Sequence, residues 1–350
     1  MINPSPQQAC SMYPETRLQF SMLNPAAAPG QLPADAAHIL GMSHVGQPGN
    51  TLPWPTQPVL MPLLGNSAGA VQECWHTALP ARHGRYGDIH YRKAGAALLY
   101  GVITLEESAI RPAAGVAALQ TLAEQAYRQL FGLLAAEHCP HLWRIWNYIP
   151  RINAEQDGME RYRQFNIGRH LAFAAGARPV DGSPAACALG TADGPVSIAF
   201  LAAGQPALPL ENPRQVSAFA YPRQYGPRSP TFSRAALARQ QGEDILFISG
   251  TASIVGHATL HPDDVAAQTR ETFANIAILL EEAKRRHAAA FTLQQLDYRV
   301  YIRHAADYPA VRAAFLQCVG DDSRAVYVQA DICRADLLVE IEAQGFRPNR

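Results

Sequence analysis

An excess of charge of either sign is missing from this 350-residue chain, in which 29 lysines and arginines stand against 29 aspartates and glutamates. No global field therefore gathers polyanions, and no basic run with interleaved aromatics suggests a nucleic-acid partner, so a small molecule is the expected ligand. Long apolar runs are missing too. None spans a bilayer, and the opening MINPSPQQACSMYPETR lacks the basic segment and apolar core of a secretory leader. The expectations are no membrane association and a cytoplasmic location. Cysteine is sparse and unpatterned: Cys10, Cys74, Cys139, Cys187, Cys318 and Cys333 show no CxxC spacing, which fits reduced thiols better than a disulfide framework. What the chain does have is 48% hydrophobic residues, enough for a substantial core, at a length that suggests two domains or one duplicated unit.

Many of the 27 prolines fall in residues 1–60, and proline serves poorly inside helices or central strands. Residues 1–70 are expected to form an irregular arm with, at most, short strands. Beyond it the same order of elements occurs twice. Residues 95–108 read as a strand, 115–137 as an amphipathic helix, 141–153 as a strand, 158–170 as a short helix and 196–204 as a closing strand. In the second run, 244–256 reads as a strand pair, 263–287 as a long helix, 294–305 as a strand, 308–320 as a short helix and 323–343 as the final strands. Gly101 and Gly250 begin equivalent turns in this reading. Self-similarity over roughly 150 residues implies an internal duplication and an α+β fold, each half a small mixed sheet with helices packed on one face. The halves are placed at 71–204 and 241–350, bridged by 205–240, and a duplication within one chain suggests a monomer. The position answering Glu340 in the first half is read as apolar, so one active site per chain is expected.

The strongest catalytic candidate is Glu340, in the alternating segment VYVQADICRADLLVEIEA from Val326 to Ala343. Beside Leu337, Leu338, Val339 and Ile341 it would leave water, which raises a carboxyl pKa toward the range of a proton donor at neutral pH. The competing reading is an edge-strand glutamate facing solvent. Gly65-Asn66-Ser67-Ala68-Gly69 matches the GxSxG nucleophile elbow, but the AVQECWHTAL that follows is a poor helix, and an ordinary loop is the alternative. His138, Cys139 and His141, with Cys74 and His76, are of zinc-ligand type at spacings that fit no recognised site, so no metal is expected.

Tyr221, Arg223, Tyr225 and Arg228 lie in a segment punctuated by Pro222, Gly226, Pro227 and Pro230. Proline lowers the entropy cost of fixing such a loop, and guanidinium groups offer paired donors that match a carboxylate. Arg161, Arg163 and Arg169 form a second cationic group, with a solvated helix face as the alternative for each. Arg163 and Arg228 are the expected carboxylate clamps, with Tyr221 beside them.

These residues carry a family likeness. Segment 244–343 resembles the RidA (YjgF) proteins, specifically in Ser249-Gly250, Gln268-Thr269, Asn275 and the closing Glu340-Ile341-Glu342. It departs at Arg324, where the arginine of that family is followed by Ser or Thr in a register displaced here by one residue. Roughly residues 70–345 are more closely similar to the chorismatases, through RIWNYIPRIN (144–153), YRQFNIGRHLAF (162–173), AYPRQYGPRSPTFSRA (220–235), FISGTASIVGH (247–257) and ICRADLLVEIE (332–342). The resemblance implies release of pyruvate from chorismate, with Glu340 as the acid and Gly250 among the substrate-binding residues. It places Cys333 in the pocket, where it influences the product; a cysteine resembles the branch that makes hydroxybenzoates. An inert core cysteine is the plain alternative.

Chorismate carries two carboxylates and an enolpyruvyl ether. Its site needs cations at two places and an acid over the ether's methylene carbon, and no metal or organic cofactor is expected. The main product is then 3-hydroxybenzoate, with 4-hydroxybenzoate as a possible second. Alternatives are hydrolysis to a dihydroxycyclohexadiene acid, a RidA-type imine deaminase, and a non-catalytic metabolite-binding module.

Overall fold

The computed structural model describes residues 17–23, 32, 34–47, 49, 51–65, 69–240 and 242–349. The first strands are β1 (Leu18–Leu23), β2 (Ile39–Gly46), β3 (Thr56–Val59) and β4 (Ala70–Thr77), in the sheet order β1-β4-β2-β3. This corrects the expectation of an irregular arm ending at residue 70. Among the described residues Pro53, Pro55 and Pro62 lie outside the strands, and Pro58 lies on β3 at the sheet edge, where one side of the strand needs no donor. The AVQECWHTAL segment is strand β4, not a weak helix, and Ser67 of the GxSxG match lies outside the described residues.

The first half follows as β5 (Ala81–Tyr86), β6 (Ile89–Ala94), β7 (Leu98–Leu105), α1 (Ala118–Ala136), β8 (His141–Pro150), a short ribbon of β9 (Glu155–Gln156) and β10 (Met159–Glu160), α2 (Arg161–Ala175), β11 (Ala185–Thr191) and β12 (Val196–Ala203). The bridge contains β13 (Leu208–Leu210). The second half has β14 (Ala235–Gln240), β15 (Glu243–Thr251), a ribbon of β16 (Ile254–Val255) and β17 (Ala258–Thr259), α3 (Val265–His287), β18 (Leu296–Ile302), α4 (Tyr308–Val319), β19 (Ala325–Gln329), β20 (Asp331–Ile332) and β21 (Val339–Pro348).

The duplication is plain in the strand order. Within the first large sheet the strands run β11-β8-β12-β7-β6, and within the second β19-β18-β21-β15-β14, with the corresponding pairs β8/β11 and β18/β19 both parallel. Apolar positions at helical spacing explain the helices: Leu119, Leu122, Ala123, Ala126, Leu130 and Leu133 are buried on one face of α1. Asp264 caps α3 by accepting from the Ala267 amide, and Lys284, Arg285 and Arg286 lie in its last turn, where cations meet the negative helix end.

The two sheets face each other, with α1 and α2 outside one and α3 and α4 outside the other. Trp146, Tyr148 and Leu201 from the first sheet meet Phe247, Tyr301 and Val328 from the second in the central layer, and Trp75 of β4 enters the same layer. Gly101 and Gly250 lie inside β7 and β15, so neither begins a turn. In register, Ser197 stands opposite Tyr148 on the first sheet as Glu340 stands opposite Tyr301 on the second, and the two tyrosine hydroxyls are 2.9 Å apart. The residue answering Glu340 is therefore a buried serine rather than a hydrophobe.

Candidate active site

Alternation along β21 sends Val339, Ile341 and Ala343 toward α3 and α4 and so turns Glu340 and Glu342 into the layer between the sheets. Both are buried. Glu342 is well supplied with partners: Arg144 at 2.5 Å, the Trp146 indole N–H at 3.1 Å and Arg299 at 3.5 Å. Arg299 also grips Glu73 of β4, its Nε donating at 3.0 Å. Two cations are thus matched by two carboxylates.

An ionised Glu340 would add a further charge to this layer. Among the described residues its carboxyl receives only the weak hydrogen bond of the Cys333 thiol, 3.9 Å from Oε2. Burial pushes its pKa up from 4.5 to about 8, the neighbouring negative charge of Glu342 adds to the rise, and the positive charges of Arg144 and Arg234 only partly oppose it. Of two glutamates on one strand face, Glu342 is ion-paired with Arg144 and Arg299, while Glu340, with its pKa pushed up to about 8, favours the protonated form at neutral pH. The solvent-facing reading of Glu340 is thereby excluded. Gly250 makes room for it: a Cβ there would lie 1.9 Å from Glu340 Oε1.

Glu340 lines a cavity of about 580 Å³ at the junction of the two halves. Gly250, Cys187 and Cys333 surround the acid, while Arg163, Arg169, Arg234 and Arg334 line the same space with Tyr162, Tyr221 and Tyr225. Arg169 and Arg234 are 3% and 4% exposed, and the Nε–H of each has no protein partner among the described residues. Arg169 gives one hydrogen bond to Asn166 at 3.2 Å and lies over the Phe165 ring. Arg234 donates to the Tyr221 hydroxyl and to the Val216 carbonyl, each at 2.8 Å, and lies over the rings of Phe232 and Tyr221. A buried guanidinium without a carboxylate of its own is costly unless a ligand supplies the charge, so these two are built to receive an anion.

Tyr221 and Gly250 thus line the cavity. Arg163 does so too, although its Nε lies 3.2 Å from Glu160 and its side chain is 41% exposed. Arg228 does not: it is exposed and absent from the lining, and Arg234, six residues further on, holds the buried position. Within the loop, Tyr221, Tyr225 and Pro230 line the cavity, whereas Pro227 and Arg228 lie exposed between them. Arg334 was equally hidden in the sequence; it stacks 3.9 Å from the Tyr225 ring centre and 4.9 Å from that of Tyr221. Arg324 forms a two-pronged pair with Asp297 at 2.8 and 3.0 Å, away from the cavity. Among the described residues no three metal-ligating side chains come together: Cys139 meets the Ala96 carbonyl and His76 meets Ser21.

Comparison with known proteins identifies the family. A chorismatase from Streptomyces rapamycinicus is 38% identical over 280 residues, covering 77% of this chain and 80% of its own. The chain belongs to the chorismatase family. The family model for chorismatase FkbO/Hyg5-like N-terminal regions matches residues 73–202, and that for endoribonuclease L-PSP matches residues 230–345, so each half of the duplicated fold has its own match. A 3-hydroxybenzoate synthase from Streptomyces hygroscopicus is 38% identical over 227 residues, 62% of this chain and 67% of that one. A crystal structure of a chorismatase superposes with a TM-score of 0.82 at 29% identity, covering 95% of this chain and 99% of the other. The fold is therefore that of a chorismatase, with the RidA-like unit in duplicate.

Proposed function

We propose that this enzyme converts chorismate to pyruvate and 3-hydroxybenzoate, with Glu340 as proton donor and without a cofactor. The observation that carries the reading is a carboxyl whose pKa is raised to about 8, set in a cavity with two buried arginines that have no ion-pair partner among the described residues. The likeness to a 3-hydroxybenzoate synthase supports the product. Arg234, with Tyr221 held against it, and Arg169 supply cations for the two substrate carboxylates, and Arg163 and Arg334 add charge around them. Glu340 delivers its proton to the enolpyruvyl methylene carbon, creating an oxocarbenium ion that the Glu340 carboxylate then faces.

Chorismate has the combined atoms of pyruvate and a hydroxybenzoate, so this outcome takes up no water, whereas hydrolysis to a dihydroxycyclohexadiene acid takes up one. Product choice is therefore a contest between water and the substrate's own neighbouring hydroxyl for the cation. Cys333, 3.9 Å from Glu340, borders that contest. Burial and the nearby Glu340 charge both push its thiol pKa up, so it stays a neutral, weakly polar wall and not a nucleophile. Cys333→Val and Cys333→Ala are expected to change the ratio of hydroxybenzoate to diene diol, since about 1.4 kcal/mol between two exit barriers is a tenfold change. Chromatography at full chorismate consumption reads the ratio, and identical ratios in all three proteins would make Cys333 packing only.

Because both halves lie in one chain and supply both walls of the cavity, the reading is of a monomer. No helix among the described residues is long and apolar enough to cross a membrane, and five cysteines are unpaired, which supports a reducing, cytoplasmic setting. The decisive test is purified protein with chorismate, pyruvate being followed with a coupled dehydrogenase. Equimolar pyruvate and 3-hydroxybenzoate are expected; a diene diol alone would place the enzyme in the hydrolytic branch, and no pyruvate would overturn the reading. Arg228→Ala, at an exposed position, should leave KM for chorismate within about twofold. A large rise in KM would return Arg228 to the site.

A further inference from the structure

Residues 331–338 carry Cys333 and Arg334 across the rim of the cavity, and apart from β20 they have little regular structure of their own. One side chain from outside the segment makes the largest share of the hydrogen bonds that hold them. Arg303, just past the end of β18, donates from Nε to the Leu337 carbonyl at 2.8 Å and from Nη2 to the Arg334 and Ile332 carbonyls at 2.7 and 3.1 Å. Its Nη1 reaches Asp331 at 2.9 Å and Asn153, a cavity residue of the first half, at 3.2 Å. All three nitrogens are used, and the three carbonyls bracket Cys333 on both sides. β20 adds a second tie by pairing with β11 of the first half, and Gln268 of α3 adds a third by donating to the Asp336 carbonyl at 3.0 Å and accepting from the Leu338 amide at 2.8 Å.

We propose that Arg303 is a positioning residue for product choice: by gathering the carbonyls of Ile332, Arg334 and Leu337 it fixes where Cys333 stands against Glu340. The proposal rests on the chorismate reading for its consequence but not for its geometry. Only a planar fork with five donors satisfies this set at once; a lysine ammonium with three donors satisfies at most part of it. In Arg303→Lys the segment loosens while Glu340 on β21 and Arg169 and Arg234 elsewhere keep their places. Pyruvate release should then persist while the cation meets water more often.

The test pairs two readouts on wild type and Arg303→Lys, each first checked for a cooperative melt. The first needs no substrate. Carbamidomethylation by iodoacetamide, followed by peptide mass spectrometry, should label Cys333 at least about fivefold faster in the variant, with the partly exposed Cys318 labelling at an unchanged rate as internal reference. The second is product analysis with chorismate, where the share of diene diol should rise at least about fivefold while kcat for pyruvate release stays within about threefold. Unchanged Cys333 labelling would overturn the positioning role whatever the enzyme acts on. Faster labelling with an unchanged product ratio would overturn the link to product choice. Faster labelling in a protein that releases no pyruvate even as wild type would leave Arg303 as the holder of the loop and remove the chorismate reading instead.

Discussion

Glu340→Gln is expected to lower pyruvate release by about 10²-fold or more while the protein stays folded, because an essential proton donor is replaced by an isosteric amide with no acidic proton. The amide fits where the protonated acid fits, since Gly250 leaves room for either. Steady-state pyruvate formation checks the rate, and wild-type turnover in the variant would remove Glu340 from the mechanism. The same group sets a pH dependence. With its pKa raised to about 8, the active acid form is lost as pH climbs through that value, so kcat/KM should decline on the alkaline side. Stability moves in the same direction. A carboxyl whose folded pKa lies above its unfolded value contributes stability that is fully present below the unfolded value, near 4.5, and is lost as pH rises through the folded one. Melting temperature should therefore fall more between about pH 6 and pH 9 in the wild type than in Glu340→Gln, whose amide cannot ionise. Parallel curves would mean that Glu340 does not titrate there.

The second large effect is expected at Arg234. Arg234→Ala removes a buried cation whose Nε–H awaits a partner, and loss of a charge-assisted pair to a substrate carboxylate costs about 1.5–3 kcal/mol. KM for chorismate should rise roughly 10- to 100-fold. Because the same positive charge opposes the raised pKa of Glu340, its removal should also move the alkaline limb of the pH profile upward. Arg234→Lys keeps a charge but loses the fork that reaches the Tyr221 hydroxyl and the Val216 carbonyl together, so an intermediate KM is expected. Folding is checked by a melt on each variant. An unchanged KM in Arg234→Ala would assign this arginine to packing between Phe232 and Tyr221.

Much of this arrangement was legible in the amino-acid sequence because it is local. Helical spacing in residues 115–137 and 263–287 marks α1 and α3, and strict alternation in LLVEIEA puts both glutamates on one face of β21. The repeated order of elements is enough to infer a duplicated fold. The N-terminal sheet is hidden in the sequence because proline density says nothing about where prolines fall, and among the described residues Pro53, Pro55 and Pro62 lie outside the strands and Pro58 on the edge strand β3. Arg228 and Arg234 sit in the same Pro- and Gly-marked stretch, and direction within a loop has no period to read, so the sequence does not separate the exposed arginine from the buried one.

By itself, then, the sequence determined the class of fold, the presence of a carboxyl on an apolar strand, and the family resemblance. Tertiary structure alone decided which of two neighbouring glutamates is paired with arginine, because that depends on charges brought from far along the chain. Arg144 reaches Glu342 across 198 residues and Arg299 reaches Glu73 across 226, and these pairings leave Glu340 without an arginine of its own among the described residues. The clamp of Arg303 on the Cys333 segment has the same character: backbone carbonyls carry no residue identity, so their gathering around one guanidinium is visible only once the chain has folded.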